Sequence, residues 1–296
     1  MRDGRRVLEN GRGGMGGKVA LITGGTSGIG KATAIALAAM GASVTITGRN
    51  RERGEQAVME VRRESGNEEV ELILADLAVQ AEVRRLAEEF RERYDRLDVL
   101  VNNAGLVISE RTETPDGMEA QFAINHLAPF LLTNLLLDLL ESSTPSRIVT
   151  VSSEGHRWGK VDLDDLQSRK RYRGFPVYGM TKLANIMFTY ELAERLSGTG
   201  VTANCLHPGG VSTNFGSNNS GVLTLLFRAF KPFMRTPEQG ADTVIYLASS
   251  PDVEGMTGKY LADRKIKVAS NAAYDEGLQK MLWEKSEELT GLKVTA

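Results

Sequence analysis

Tyr178 and Lys182 stand four residues apart in VYGMTKLANI, residues 177–186. On a helix such positions lie one above the other on a single face. A phenol, with an ordinary pKa of about 10, exchanges protons poorly at neutral pH. A lysine ammonium on the next turn would stabilise the phenolate and bring that value down, letting Tyr178 give or take a proton at a reacting oxygen. The same spacing also describes two amphipathic residues at a helix edge. The rest of the chain decides which reading holds.

A second stretch has the spacing of an anion cradle. LITGGTSGIGKATA, residues 21–34, runs from an apolar strand candidate through Gly24, Gly28 and Gly30 into an alanine-rich helix pattern. In such a unit the first glycine makes the tight turn, the next lets backbone approach a pyrophosphate, and the last lets helix and strand pack closely. The phosphates then meet the unpaired N–H groups and the dipole of the helix. Thr26, Ser27 and Ile29 fall within this cradle; if the turn is only structural, Gly25, Thr26 and Ser27 are ordinary turn residues. The next strand candidate ends in TGRNRER, residues 47–53. Gly48 stands where an NAD site carries an acid for the ribose 2′-hydroxyl, and Arg49 follows it. A guanidinium can fork onto a 2′-phosphate that a carboxylate would repel. NADP(H) is therefore expected over NAD(H), the other reading of Arg49, Arg51 and Arg53 being a solvated basic helix start.

These groups need elements to position them. Apolar runs at 19–23, 43–49, 70–77, 97–105, 146–153 and 201–209 alternate with helical patterns at 30–41, 51–66, 80–94, 117–142, 177–198 and 236–250, and a late strand is expected near 258–263. The alternation predicts an α/β fold: one Rossmann domain with a doubly wound parallel sheet of about seven strands flanked by helices. Residues 18–290 form that domain. Residues 1–17, rich in Gly and Arg, are expected to be a disordered extension, with Met15 a second candidate start, and residues 291–296 a tail.

The 296 residues are 41% hydrophobic and 25% charged, ordinary values that allow a sizeable core. A net charge of -2 gives no global attraction to nucleic acid or an anionic membrane. One cysteine, Cys205, excludes an internal disulfide framework and reads as a buried strand residue. With no apolar run of about 18 residues and no signal-peptide pattern, a soluble cytoplasmic protein is expected. His126, His156 and His207 lie in separate segments without metal-ligand spacing, so no metal is expected and all three read as structural, with His156 the one near enough to Ser153 to approach a substrate.

Taken in order, TGGTSGIG, Asp76–Leu77, NNAG at 102–105, Asn125 in AINHLAPF, VSS at 151–153, YGMTK and HPGGVST at 207–213 resemble the short-chain dehydrogenase/reductase family. The resemblance covers about residues 18–290 and is strongest to its retinol-dehydrogenase-like branch, through AINHLAPFLLTNLLL, RIVTVSS, the wide gap from Ser153 to Tyr178, and YGMTKLAN. It implies Asn125, Ser153, Tyr178 and Lys182 as catalytic residues, with Ser152 a strand residue. It further implies Asp76 on the adenine with Leu77 beside it, and Asn102, Ala104 and Gly105 along the adenosine side. Pro208 and Gly209 would lie at the nicotinamide, with Val211 and Thr213 near its carboxamide. In that scheme Lys182 also holds the nicotinamide ribose, the Ser153 hydroxyl stabilises developing charge on the substrate oxygen, and the Asn125 backbone holds a water of the proton relay.

Two segments exceed a minimal scaffold. One is the long connection between Ser153 and Tyr178. The other, about 211–236, carries an apolar set from Val222 to Met234 with Arg228, Lys231 and Arg235 among it. A lid over a hydrophobic substrate, core packing and membrane-surface contact are its three readings. Trp158 and Trp283 are candidates to border the pocket. The expected function is interconversion of a carbonyl and an alcohol on an apolar small molecule; retinoid or steroid chemistry follows only from the branch resemblance. A catalytically silent dinucleotide-binding regulator needs no acid or base, and a sugar-nucleotide epimerase needs more chain after the sixth strand. Homo-oligomers through long helices are a family habit that no residue pattern here decides.

Overall fold

The computed structural model describes residues 14–210 and 235–292. Among these, β1 (Val19–Ile22), β2 (Ser43–Gly48), β3 (Val70–Leu74), β4 (Val99–Asn102), β5 (Ser146–Val151), β6 (Val201–Leu206), β7 (Lys259–Ala262) and β8 (Lys265–Ile266) form one sheet. Its order is β3–β2–β1–β4–β5–β6–β7–β8, parallel throughout except for β8 on β7. The helices in chain order are α1 (Gly28–Ala39), α2 (Arg51–Ser65), α3 (Gln80–Arg93), α4 (Ala120–Phe122), α5 (Ala128–Leu135), α6 (Leu137–Ser142), α7 (Gly174–Arg195), α8 (Pro237–Ser249) and α9 (Glu276–Thr290).

Helices on both faces explain why the strands are continuous apolar runs. Ala34 and Leu37 of α1, Val61 of α2 and Val244 of α8 pack on one face. Leu86 and Phe90 of α3, Phe130 of α5 and Phe188 of α7 pack on the other. Helix α9 lies on α7, where Trp283 stacks on Phe188 at 5.7 Å and meets Phe130 edge-on at 4.9 Å. Trp283 therefore belongs to the core and does not border a pocket.

The fold departs from the sequence reading in three places. The stretch 117–142 is not one helix. It passes from α4 through a π-helical turn at Ala123–Leu127 into α5 and breaks at Leu136 before α6. Four residues after Asn125 stands Pro129, which has no N–H, so the Asn125 carbonyl lacks its α-helical donor. The late strand is a hairpin, because Asp263 (φ 51°) and Arg264 (φ 58°) both take the left-handed conformation that tight hairpin turns require. Finally, ordered structure starts before Lys18: Met15 is buried in the core and its N–H donates to the Met40 carbonyl at 3.1 Å.

Parallel strands end on a common edge. The C-termini of β1, β2, β3, β4, β5 and β6 deliver Gly24, Arg49, Asp76, Gly105, Ser153 and Gly209 to that edge, where open α/β sheets bind ligands. No helix among the described residues is long and apolar enough to cross a membrane.

Candidate active site

The glycine turn is set by steric need. A Cβ on Gly30 would fall on the Gly24 carbonyl and 2.5 Å from Asn103 Nδ2, and one on Gly24 would reach 3.0 Å from Ala104 Cα. Gly24 (φ 66°) and Gly28 (φ 54°) also use left-handed backbone. Asn103 locks the turn: its Nδ2 donates to the carbonyls of Thr23 at 2.8 Å and Gly24 at 3.2 Å. The sequence reading passed over Asn103 in favour of Asn102, whose Nδ2 instead donates to Thr133 Oγ1 of α5 at 2.9 Å, beneath the sheet. Strand alternation puts consecutive asparagines on opposite faces, and that was the available signal.

Ser27 is the N-cap of α1, but its side chain makes no capping bond, so the first-turn N–H groups are open. Ile29 and Thr26 are half-buried beside them. A Cβ on Gly48 would come within 2.5 Å of Thr26 Cγ2, which leaves no room for an acidic side chain there. Arg49 is exposed, with no hydrogen-bond or ion-pair partner among the described residues. Asp76 Oδ1 accepts from the Ala78 N–H at 3.0 Å, and half-buried Leu77 packs against the core. An open helix start and backbone accessible at three glycines fit a dinucleotide's phosphates.

On the next strands Asn125, Lys182 and Gly105 come together. Asn125 Oδ1 accepts from the Leu106 N–H at 2.8 Å, while its Nδ2 donates to the Leu106 carbonyl at 2.9 Å and Thr181 Oγ1 at 3.0 Å. The side chain thus pins the loop after β4 to α7. A Cβ on Gly105 would sit 3.2 Å from Lys182 Nζ and 3.4 Å from Asn125 Oδ1, so this glycine keeps space open beside the ammonium. Lys182 is buried and donates to the Val151 carbonyl at 2.9 Å.

Ser153 reaches Tyr178 through a glycine seam. Residues Glu154–Trp158 form a 3-10 turn capped by Ser153, whose Oγ accepts from the Gly155 N–H at 3.1 Å. A Cβ on Gly179 would come within 2.6 Å of the Gly155 carbonyl, and one on Gly159 would fall on the Gly179 backbone. Backbone therefore packs on backbone, and the turn sits close enough to α7 that a Cβ on Gly155 would touch both Tyr178 Cε1 (3.2 Å) and Ser153 Oγ (3.3 Å). Ser152 points inward, its Oγ donating to the Lys182 carbonyl at 2.8 Å.

The electrostatics overturn one expectation. Burial pushes the Tyr178 phenol up to about 12, with a hydrogen bond from Ser153 pulling the other way. Burial pushes Lys182 down to about 8. The ammonium gives one of its three N–H groups to Val151 and stands 5.7 Å from the Tyr178 ring centroid, and burial leaves the phenol above its ordinary value.

The three histidines are held as structural groups. His126 is buried between Ser286 Oγ (2.9 Å) and Phe122 (5.2 Å), and burial lowers its pKa to about 4. His156 bonds to backbone at both ring nitrogens. His207 Nδ1 accepts from the Gly209 N–H at 3.2 Å. Among the described residues no group of three or more His, Cys, Asp or Glu is placed to hold a metal.

On the substrate side, the connection 154–173 is ordered. Val161 and Leu166 are buried, and the Tyr172 hydroxyl lies between the Ile108 carbonyl (3.3 Å) and Glu119 Oε1 (3.2 Å). Trp158 is 72% exposed on the turn after Ser153. Arg235 pairs with Asp263 at 2.6 Å and is not a free surface cation. Val211, Thr213 and the apolar set 222–234 lie outside the described residues.

Comparison with known proteins follows the same lines. Residues 18–221 match the short chain dehydrogenase family. Human retinol dehydrogenase 14 is 46% identical over 98% of this chain and 92% of its own length. Human polyprenol dehydrogenase is 41% identical over 93% of this chain and 86% of its own. Among solved structures, a Mycobacterium paratuberculosis protein superposes with a TM-score of 0.78 at 32% identity, covering 98% of both chains. A Burkholderia cenocepacia short chain dehydrogenase in complex with NADP superposes with a TM-score of 0.66 at 29% identity, over 83% of this chain and 96% of that one.

Proposed function

Since the chain belongs to the short-chain dehydrogenase/reductase family, we propose that it is an NADP(H)-dependent enzyme in which Tyr178 is the acid and base for an apolar carbonyl or alcohol. It is an oxidoreductase that interconverts a carbonyl and an alcohol, in a family that binds NAD or NADP. The observation that carries the Tyr178 mechanism is the convergence of Asn125, Ser153, Tyr178 and Lys182 on one sheet edge beside the open start of α1.

The residues to hold the dinucleotide are Gly24, Thr26, Ser27, Gly28, Ile29 and Gly30 at its phosphates and Arg49 at a 2′-phosphate, with Asp76, Leu77, Ala104 and Gly105 along the adenosine; Asn102, turned to Thr133 beneath the sheet, is not among them. Pro208, Gly209, Val211 and Thr213 belong at the nicotinamide. When bound, the nicotinamide supplies or takes the hydride. The chain does the rest. The Gly155 N–H fills one of the two lone pairs of Ser153 Oγ, and the hydroxyl hydrogen is given to Tyr178 or to a substrate oxygen as charge builds on it. Tyr178, neutral well beyond physiological pH, carries the proton that a forming alkoxide needs. Lys182 on the next turn recharges it. Leu106 and Ile108 are half-buried in the loop after β4, and the relatives named for retinol and polyprenol both concern extended apolar alcohols.

The test is direct. Purified protein is mixed with NADPH and a panel of apolar aldehydes and ketones, and the nicotinamide absorbance is followed. Turnover is expected, and Tyr178→Phe should abolish it while NADPH still binds. Turnover that survives that substitution sinks the mechanism; NADPH binding with no turnover on any carbonyl favours the silent regulator.

A further inference from the structure

We propose that His156 is a positioning residue for Ser153: its Nδ1–H holds the Ser153 carbonyl and so fixes the direction in which the Ser153 hydroxyl donates. This rests on Ser153 acting on the substrate oxygen as argued above.

His156 is fully buried, and the contacts of its ring decide its tautomer. The backbone N–H of Ser270 points at Nε2 from 3.1 Å. An amide N–H can only donate, so Nε2 is bare and the proton of the neutral ring sits on Nδ1. Nδ1 lies 2.7 Å from the Ser153 carbonyl and donates to it. The His156 backbone N–H donates to the same oxygen at 3.1 Å. Ser153 is thus clamped at both ends: its carbonyl takes two donors from His156, and its hydroxyl takes one from Gly155.

The surroundings keep the ring in this form. Burial lowers its pKa and outweighs the Ser153 carbonyl, which favours a second proton; Arg157 and His207 oppose one and Glu154 favours it. Tyr260 packs its ring edge-on at 5.1 Å. His207 has the opposite tautomer, because Gly209 donates into its Nδ1. His126 faces Ser286 Oγ at Nε2 and Asn185 Oδ1 at Nδ1. The chain has three histidines, so substitution assigns each ring.

The experiment has two arms. Nitrogen-15 NMR of the imidazoles, followed from pH 8 to pH 5, is expected to show one ring that stays neutral with its proton on Nδ1 and is lost in His156→Gln. An Nε2–H ring at His156 overturns the proposal, whatever the enzyme turns over. In the kinetic arm, His156→Asn keeps a donor at the Nδ1 position, and His156→Gln keeps an acceptor at the Nε2 position. His156→Gln is expected to lower kcat by about tenfold to a hundredfold, the scale of a misplaced reacting group, with KM for NADPH unchanged, while His156→Asn retains most of kcat. Equal losses in both variants, or a loss seen only in KM for NADPH, overturn it. Ser153→Ala is the control for the underlying reading. If it leaves turnover intact, Ser153 is not at the reaction and the reading itself fails; if it abolishes turnover while the two His156 variants behave alike, the positioning role alone fails.

Discussion

The Lys182 ammonium lies 5.7 Å from the centre of the Tyr178 ring but gives its hydrogen bond to the Val151 carbonyl. The two residues share a helix face, and each is pushed by burial toward its uncharged form. The pair is primed to hold a proton.

That has a pH signature. Lys182 falls from an ordinary 10.5 to about 8, so its charge is present below that pH and lost above it. For carbonyl reduction, kcat/KM reports the free enzyme. It is expected to be level through neutrality and to fall above pH about 8, as the cation beside the proton donor disappears. A profile that stays level to pH 10 or beyond would remove Lys182 from the relay.

Arg49→Ala tests the cofactor choice. The exposed guanidinium has no protein partner among the described residues to satisfy, so its loss should leave folding unchanged. A charged hydrogen bond is worth about 1.5–3 kcal/mol, so NADPH binding should weaken by roughly 10- to 100-fold while NADH binding barely moves. Fluorescence titration with both nucleotides reads this; equal weakening refutes the 2′-phosphate assignment.

Gly159→Ala probes the seam under the active site. The added methyl has only the Gly179 backbone to meet. The turn must then lift from α7, carrying Ser153 away from Tyr178. Overpacking of this kind costs about 1–3 kcal/mol, and kcat should drop while NADPH binding persists. Denaturant melts and single-turnover rates separate the two effects.

His126 predicts sensitivity to acid. Its folded value of about 4 lies below the ordinary 6.5, so between these pH values the unfolded chain binds a proton that the folded chain does not. Stability should therefore fall as pH drops through that window, by about 3 kcal/mol in all at roughly 1.4 kcal/mol per unit. His126→Gln, which can keep the bond to Ser286, should flatten that slope in urea melts taken from pH 7 to 4.

Much of the site could be read from residue order, because parallel strands send their C-terminal ends to one edge and the motifs follow those ends. The pairing of Tyr178 with Lys182 needed only the helical period, while the choice of Ser153 over Ser152 came from the family resemblance. What escaped was set by close approach across the chain. Gly155, Gly159 and Gly179 look like scattered glycines until the turn is seen lying on α7. The π-helical turn around Asn125 left a trace only in Pro129. The β7–β8 hairpin escaped because Asp263 and Arg264, not glycines, take the left-handed turn. The phenol's raised pKa followed from burial, which has no period in sequence.

Helix α9 also sets a schedule for biosynthesis. Ser286 Oγ holds His126, the residue after Asn125, across 160 positions of chain. Arg84 and Gln80 of α3 reach the carbonyls of Thr290 and Leu289. A ribosome delivers every strand of the sheet before it delivers these last turns. The nascent protein can assemble its sheet early, but the turn bearing Asn125 gains its final brace only once residue 286 has cleared the exit tunnel. The sheet and the brace on its active-site turn are thus delivered at different times, the sheet first.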